Sequence, residues 1–133
     1  MNGCALSTCS RYRTPLGDLY IDQKVFVDEC VNSDRSLREY CFVVNAELRD
    51  TGSFDMMDFR SEEAEHSLEM QLPFIAKVME NRTPGSYGVV PILVGSLSSS
   101  RQTNYGKIFA KYVADPRNLF VISSDFCHWG LFL

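Results

Sequence analysis

The sequence predicts an α/β domain with a mainly parallel or mixed sheet and flanking helices, and three observations carry that prediction. Apolar residues Leu68, Leu72, Ile75, Ala76 and Met79 fall at the i, i+4, i+7, i+8 spacing of a core-facing helix stripe. Two short β-branched runs, "YGVVPILVG" and "NLFVISSDF", are too short for helices but suit buried strands. Between those runs, "SLSSSRQTNYGKIFAKYVADP" places Tyr105, Ile108, Phe109, Tyr112 and Val113 on one helical face. Strand, helix, strand over about 35 residues is a right-handed βαβ crossover.

Taken in order, "CALSTCSRYRTPLGDLYIDQKVF" alternates well enough for two short strands turning at Pro15-Leu16-Gly17, although a helix from Ile21 onward competes. Residues 27–60 mix polar clusters with the short apolar run "YCFVV" and show no sustained period, so no element is assigned there. The stripe above makes residues 62–80 a helix, with Ser61 as its N-cap. Glu62, Glu63 and Glu65 sit where the helix dipole favours carboxylates. Pro73 lies inside the stripe and predicts a kink near the third turn. "YGVVPILVG" is expected as a strand buried on both faces, with Pro91 marking a bulge or an edge-side position. Serines cap the following helix and Asp115-Pro116 stops it, after which "LFVI" supplies the last strand.

The 133 residues suit one small domain, and 45% hydrophobic with 23% charged residues is ordinary globular usage. A net charge of −4 gives no basic footprint for nucleic acid, and no apolar run approaches the length of a membrane span. Five cysteines, Cys4, Cys9, Cys30, Cys41 and Cys127, form an odd set without a C-x-x-C pair, which suits reduced thiols and an intracellular chain. The sequon at Asn81 then carries no glycosylation meaning.

Chemistry concentrates in "SSDFCHWG" at residues 123–130, expected just past the carboxyl end of a strand, where open α/β sheets bind ligands. Asp125 and His128 can point into one pocket as metal ligands or an acid/base pair, with Cys127 facing the other way in an extended chain. D-x-x-H alone supplies two ligands where an open catalytic metal site normally takes three, and a capping Asp with a packed His is the plain alternative. His66 sits among Glu62, Glu65 and Glu69, and His66/Glu69 has the i, i+3 spacing of helical metal sites; without a second such helix the default is a solvated acidic turn with a surface histidine. Tyr105, Phe109 and Tyr112 read as core. No nucleophile elbow, phosphate-cradling glycine loop or G-x-G-x-x-G is present.

"CALSTCSRYRTPLGDLYIDQKVF", "EEAEHSLEMQLPFIAKVME", "VVPILVGSLS" and "YGKIFAKYVADPRNLFVISSDFCHWG" together resemble the middle of a Memo-family protein, the mediator of ErbB-driven cell motility. The resemblance implies an α/β fold similar to class III non-haem iron extradiol dioxygenases of the LigB type. It also implies an intracellular signalling protein, cytoplasmic and also nuclear, that links receptor tyrosine kinases to microtubules and cell migration. Its partners would be phosphotyrosine-containing receptor peptides or signalling proteins.

The family pocket, for which iron or copper chemistry is implied, draws on "PHAGY", "GPSHH" and "CGRHP" segments as well as D-F-C-H-W-G. Only the last is in this chain, so Asp125 and His128 carry over as metal or pocket-lining residues, with His66 at the "EHS" position as a further lining residue. The remaining ligands have no counterpart, and stable iron or copper binding by this chain is not expected. The stretch around residues 27–46 departs from the family as an apparent insertion, and "LFL" breaks from it after "HWG". A single partial Memo-like domain over residues 1–133 is therefore expected, from a fragment, a splice form or a gene-model error. Three functional readings compete: a peptide-binding signalling module, a metal-dependent redox enzyme of the extradiol dioxygenase type, and a truncated product without autonomous activity.

Overall fold

A computed structural model describes residues 1–21, 44–83 and 86–125. The chain forms β1 (Cys4–Leu6), β2 (Arg11–Thr14), β3 (Gly17–Tyr20), α1 (Val44–Asp50), β4 (Phe54–Met56), α2 (Phe59–Ala64), α3 (His66–Glu69), α4 (Leu72–Val78), β5 (Ile92–Val94) and α5 (Ser99–Val113). The α/β class holds, and the sheet is mixed: in the order β4-β1-β5, β1 is parallel to β4 and antiparallel to β5. β2 and β3 form a separate antiparallel hairpin.

β1 sits at the centre because every residue of Cys-Ala-Leu is apolar or small and can be covered on both faces; all three are buried. Leu6, Leu48 of α1 and Tyr112 of α5 form one core cluster, with Phe54, Ile92, Ile108 and Phe109 packed against it. Leu19 of the hairpin, with Leu72 and Ala76 of α4, forms a second. The hairpin turns at Pro15-Leu16, as the sequence indicated, with Thr14 opposite Gly17. Gly17 adopts φ 130, a conformation that side chains disfavour, and Thr14 Oγ1 donates to its carbonyl at 2.7 Å.

The single helix expected over residues 62–80 is three short ones. Its N-cap is Asp58 rather than Ser61: Asp58 Oδ1 accepts from the Arg60 and Ser61 amides, each at 3.1 Å. Glu65 is extended and caps α3 by accepting from Ser67 N at 2.8 Å, so a side-chain bond replaces helix continuity there. Pro73 produces a break rather than a kink. Its ring would meet the carbonyl of Glu69, where α3 ends, and it is tolerated in the first turn of α4.

The run "YGVVPILVG" is not one strand buried on both faces. Pro91 divides it: Val89 makes an isolated parallel bridge to Ile21, and only Ile92–Val94 joins the sheet, half-buried and with Val94 exposed. α5 matches its expected span, with Ser98 as N-cap, but Val113 points outward. The last strand is absent from the described residues. Leu119 to Ile122 run as exposed coil held to α5 by Asn118 Nδ2 donating to the Tyr112 carbonyl at 3.0 Å and by the Phe120 ring edge against Phe109. The expected βαβ crossover is thus not completed, and Asp125 does not follow a strand. In the previously unassigned stretch, residues 44–60 supply α1, β4 and the start of α2, while 27–43 lies outside the described residues.

Candidate functional site

The nominated side chains that the structure describes, His66 and Asp125, sit on different segments of the chain. His66 opens α3 and is exposed, and Glu69, its i+3 partner, closes the same four-residue helix, also exposed. Asp125 is exposed in the coil beyond α5. His128 and Cys127 lie outside the described residues. Among the described residues no three His, Cys, Asp or Glu side chains converge on one point, so the described donors do not fit a metal centre. The Cys4 thiol is buried and the Cys9 thiol half-buried; burial pushes both up from their ordinary value, and the Glu62 charge adds to the effect at Cys9.

The polar cluster that does form was not nominated. Ser7 follows β1 directly, at the carboxyl end of the central strand, and is fully buried. Glu62 of α2 reaches it across 55 positions of sequence. Glu62 Oε1 accepts from the Ser7 and Tyr12 hydroxyls, and Oε2 accepts from the Thr8 amide at 3.2 Å and the Thr8 hydroxyl at 3.3 Å. Ser7 Oγ in turn accepts from the Cys9 amide at 3.1 Å. Burial pushes the Glu62 carboxyl up, but its donors outweigh burial and hold it below the usual carboxylate range. Tyr12 moves the opposite way: burial first, then the bond to Glu62, raise its phenol well above the ordinary value. With both oxygens occupied, Glu62 is a charged anchor joining α2 to the hairpin and the β1 exit, not a base offered to a ligand.

No local signal could have found this cluster. Glu62 looked like one of three dipole-favouring glutamates, and only Glu62 of the three is buried.

A second feature is open to solvent. The β1/β5 pairing continues outward through Gly95 N donating to Gly3 O at 2.8 Å and Ser96 N to Met1 O at 3.2 Å. Gly95 is required there, because a Cβ would lie 2.4 Å from the Met1 carbonyl oxygen. The chain then turns into α5, leaving a cleft of about 420 Å³ lined by Asn2, Ser96, Leu97, Ser98 and Arg101. A guanidinium, two hydroxyls and a carboxamide in one cleft are donors of the kind that hold anionic oxygens. Below it, Tyr105 OH accepts from the buried Cys4 amide at 3.0 Å and donates to Ser53 O at 2.6 Å, pinning α5 to β1 and to the residue before β4.

Among the described residues no helix is long and apolar enough to cross a membrane. The model of the Memo-like protein family matches residues 1–132. The chain is 58% identical over 130 residues to Protein memo-1 homolog of Caenorhabditis elegans, covering 98% of this chain and 31% of that protein. It is 48% identical over 130 residues to Protein MEMO1 of Xenopus laevis, covering 98% of this chain and 37% of the relative. Against Protein MEMO1 of Homo sapiens the identity is 46% over 130 residues, with the same coverage of 98% and 37%. The chain therefore spans about a third of the length of these relatives.

Proposed function

The chain belongs to the Memo-like protein family, and from that premise we propose that it is a signalling module that relays receptor tyrosine kinase signals to the microtubule cytoskeleton and cell motility by binding partner peptides, phosphotyrosine-containing ones included. The observation that carries the reading is the family match, which runs through 132 residues together with identities of 46% to 58%. The open cleft is in keeping with it. Arg101 supplies a planar cation, and Ser96, Ser98 and Asn2 supply neutral donors beside it.

The test is a pull-down with one receptor-tail peptide immobilised in two forms, with and without phosphate on its tyrosine. Retention at least tenfold greater on the phosphorylated form, weakened by Arg101→Ala, is the expected result. Equal retention on both forms would overturn phosphotyrosine recognition, and no retention on either would overturn peptide binding.

A further inference from the structure

The hairpin of β2 and β3 is held on its inner face and along β3. Leu19 packs against Leu72 and Ala76 of α4, and Tyr12 OH donates to the buried Glu62. On the far side of β3, Val89 N donates to the Tyr20 carbonyl at 2.9 Å. The register decides what β2 presents on its own outer edge. Thr14 faces Gly17 across a two-residue turn and Ile21 N donates to Ser10 O at 3.0 Å, so the bonds between the arms run through Ser10, Tyr12 and Thr14. The N–H and C=O groups of Arg11 and Arg13 therefore point away from β3, and among the described residues none of them has a hydrogen-bond partner.

The side chains of the same two residues lie on the outer face, since β2 alternates exposed Arg11 and Arg13 with half-buried Tyr12 and Thr14. Arg11 has Asp18 of β3 at 2.9 Å, and Arg13 makes no ion pair among the described residues. A chain of net charge −4 thus carries two cations along one open strand edge, with one anion beside them. Unpaired edges invite another strand, and charge decides which one is admitted. An antiparallel second copy joined through this edge would set arginine opposite arginine, because those are the residues whose backbone groups face outward, and such pairs repel. A strand with a carboxylate at alternate positions meets the same groups with opposite charge, and the guanidinium fork matches a carboxylate with two parallel bonds. We propose that the outer edge of β2 docks an acidic, extended peptide segment as a third strand of the hairpin sheet. Its carboxylates lie over Arg11 and Arg13, and its alternate residues lie beside Tyr12 and Thr14. The site shares no residue with the cleft beside Arg101, and it needs no phosphate.

The test titrates this full chain with a short capped peptide of alternating glutamate and valine, reading affinity by calorimetry and amide hydrogen exchange by nuclear magnetic resonance. Binding is expected, with exchange at the Arg11 and Arg13 amides slowed at least fivefold and exchange at the Tyr12 amide, which already faces β3, unchanged. N-methylation of the peptide amides on the pairing edge is expected to weaken binding tenfold or more. Arg13→Glu is expected to weaken it as much and to admit the lysine-valine counterpart instead. No binding overturns the proposal, as does equal binding of the lysine-valine peptide by the parent chain. Binding that leaves the Arg11 and Arg13 amides unprotected also overturns it, by assigning the contact to charge alone. Failure of phosphotyrosine recognition in the pull-down leaves each of these outcomes unchanged.

Discussion

Replacing Glu62 with Gln is the perturbation that most directly tests how the polar cluster holds the fold. The substitution keeps an oxygen facing the Ser7 and Tyr12 hydroxyls but turns the side that met Thr8 into an amide donor facing two other donors. Two charge-assisted bonds weaken by roughly 0.5 kcal/mol each on becoming neutral, and opposing donors at the Thr8 amide add about 1 kcal/mol or more. The expected loss is about 2–3 kcal/mol at neutral pH, rising to about 3–4 kcal/mol for Glu62→Ala, which also deprives Ser7 and Tyr12 of their acceptor. Urea unfolding followed by far-ultraviolet circular dichroism measures it, with the slope unchanged because the surface exposed on unfolding is the same.

The pH dependence fixes the mechanism. Glu62 is held below its ordinary value in the folded chain, so its contribution is present above the unfolded pKa and is lost as pH falls through the folded one. The gap between parent and Glu62→Gln is therefore expected to be flat above about pH 5.5 and to close as the pH falls below about 4.3. Asp58, Glu47 and Glu65 are also held low, by donors from Ser61, by Lys111 and Tyr112, and by Ser67, but they are common to both proteins and cancel in the difference. A loss under about 0.5 kcal/mol at pH 7, or a gap that widens in acid, would refute the assignment of Glu62 as a charged anchor.

Other outcomes follow from single contacts. Tyr105→Phe removes the acceptor for the buried Cys4 amide and the donor to Ser53 O, so a loss of about 2–3 kcal/mol is expected, with faster hydrogen exchange at the Cys4 amide. Exchange unchanged at Cys4 would show that another group satisfies that amide. Gly17→Ala meets no atom within 4 Å, yet φ 130 is costly for a side chain, so about 1–2 kcal/mol is expected. Gly52→Ala at φ 65, also with nothing within 4 Å, is expected to cost less, about 0.5–1 kcal/mol, because the left-handed helical region admits L-residues. Thermal melts that rank the two the other way would contradict the backbone argument.

What the sequence made legible is what short spacing encodes. The hairpin at Pro15-Leu16 needs a turn signal and two alternating arms, and α5 needs one apolar face, a serine cap and a stop; all of these lie within about twenty residues. Tyr105 and Tyr112 were readable as core because both fall on that one face. The long acidic helix failed where two local preferences competed with periodicity. Glu65 gave up helical geometry to cap α3, and Pro73 could not accept the Glu69 carbonyl in its path. Periodicity survived the breaks, which is why the stripe looked continuous although the backbone is not.

Strands depend on what lies beside them, and that is where reading by composition was weakest. Cys-Ala-Leu is a three-residue run with no alternation to speak of, yet it is the centre of the sheet because β4 and β5 flank it from 50 and 88 positions away. Leu-Phe-Val-Ile has the better strand composition and forms none among the described residues, lying instead along α5 with Leu119 and Ile122 in solvent. Propensity describes a fit to a half-buried pleated surface, so it cannot act until a neighbouring strand supplies that surface. The same reasoning separates the two kinds of site. Asp125 and His128 are visible in sequence because three positions part them, whereas Ser7, Tyr12 and Glu62 converge only after a hairpin, a sheet and a helix have folded onto one another. A carboxylate saturated in that way is a product of the fold, and its burial, beside an exposed Glu63 and a half-buried Glu65, is what distinguishes an anchor from a capping charge.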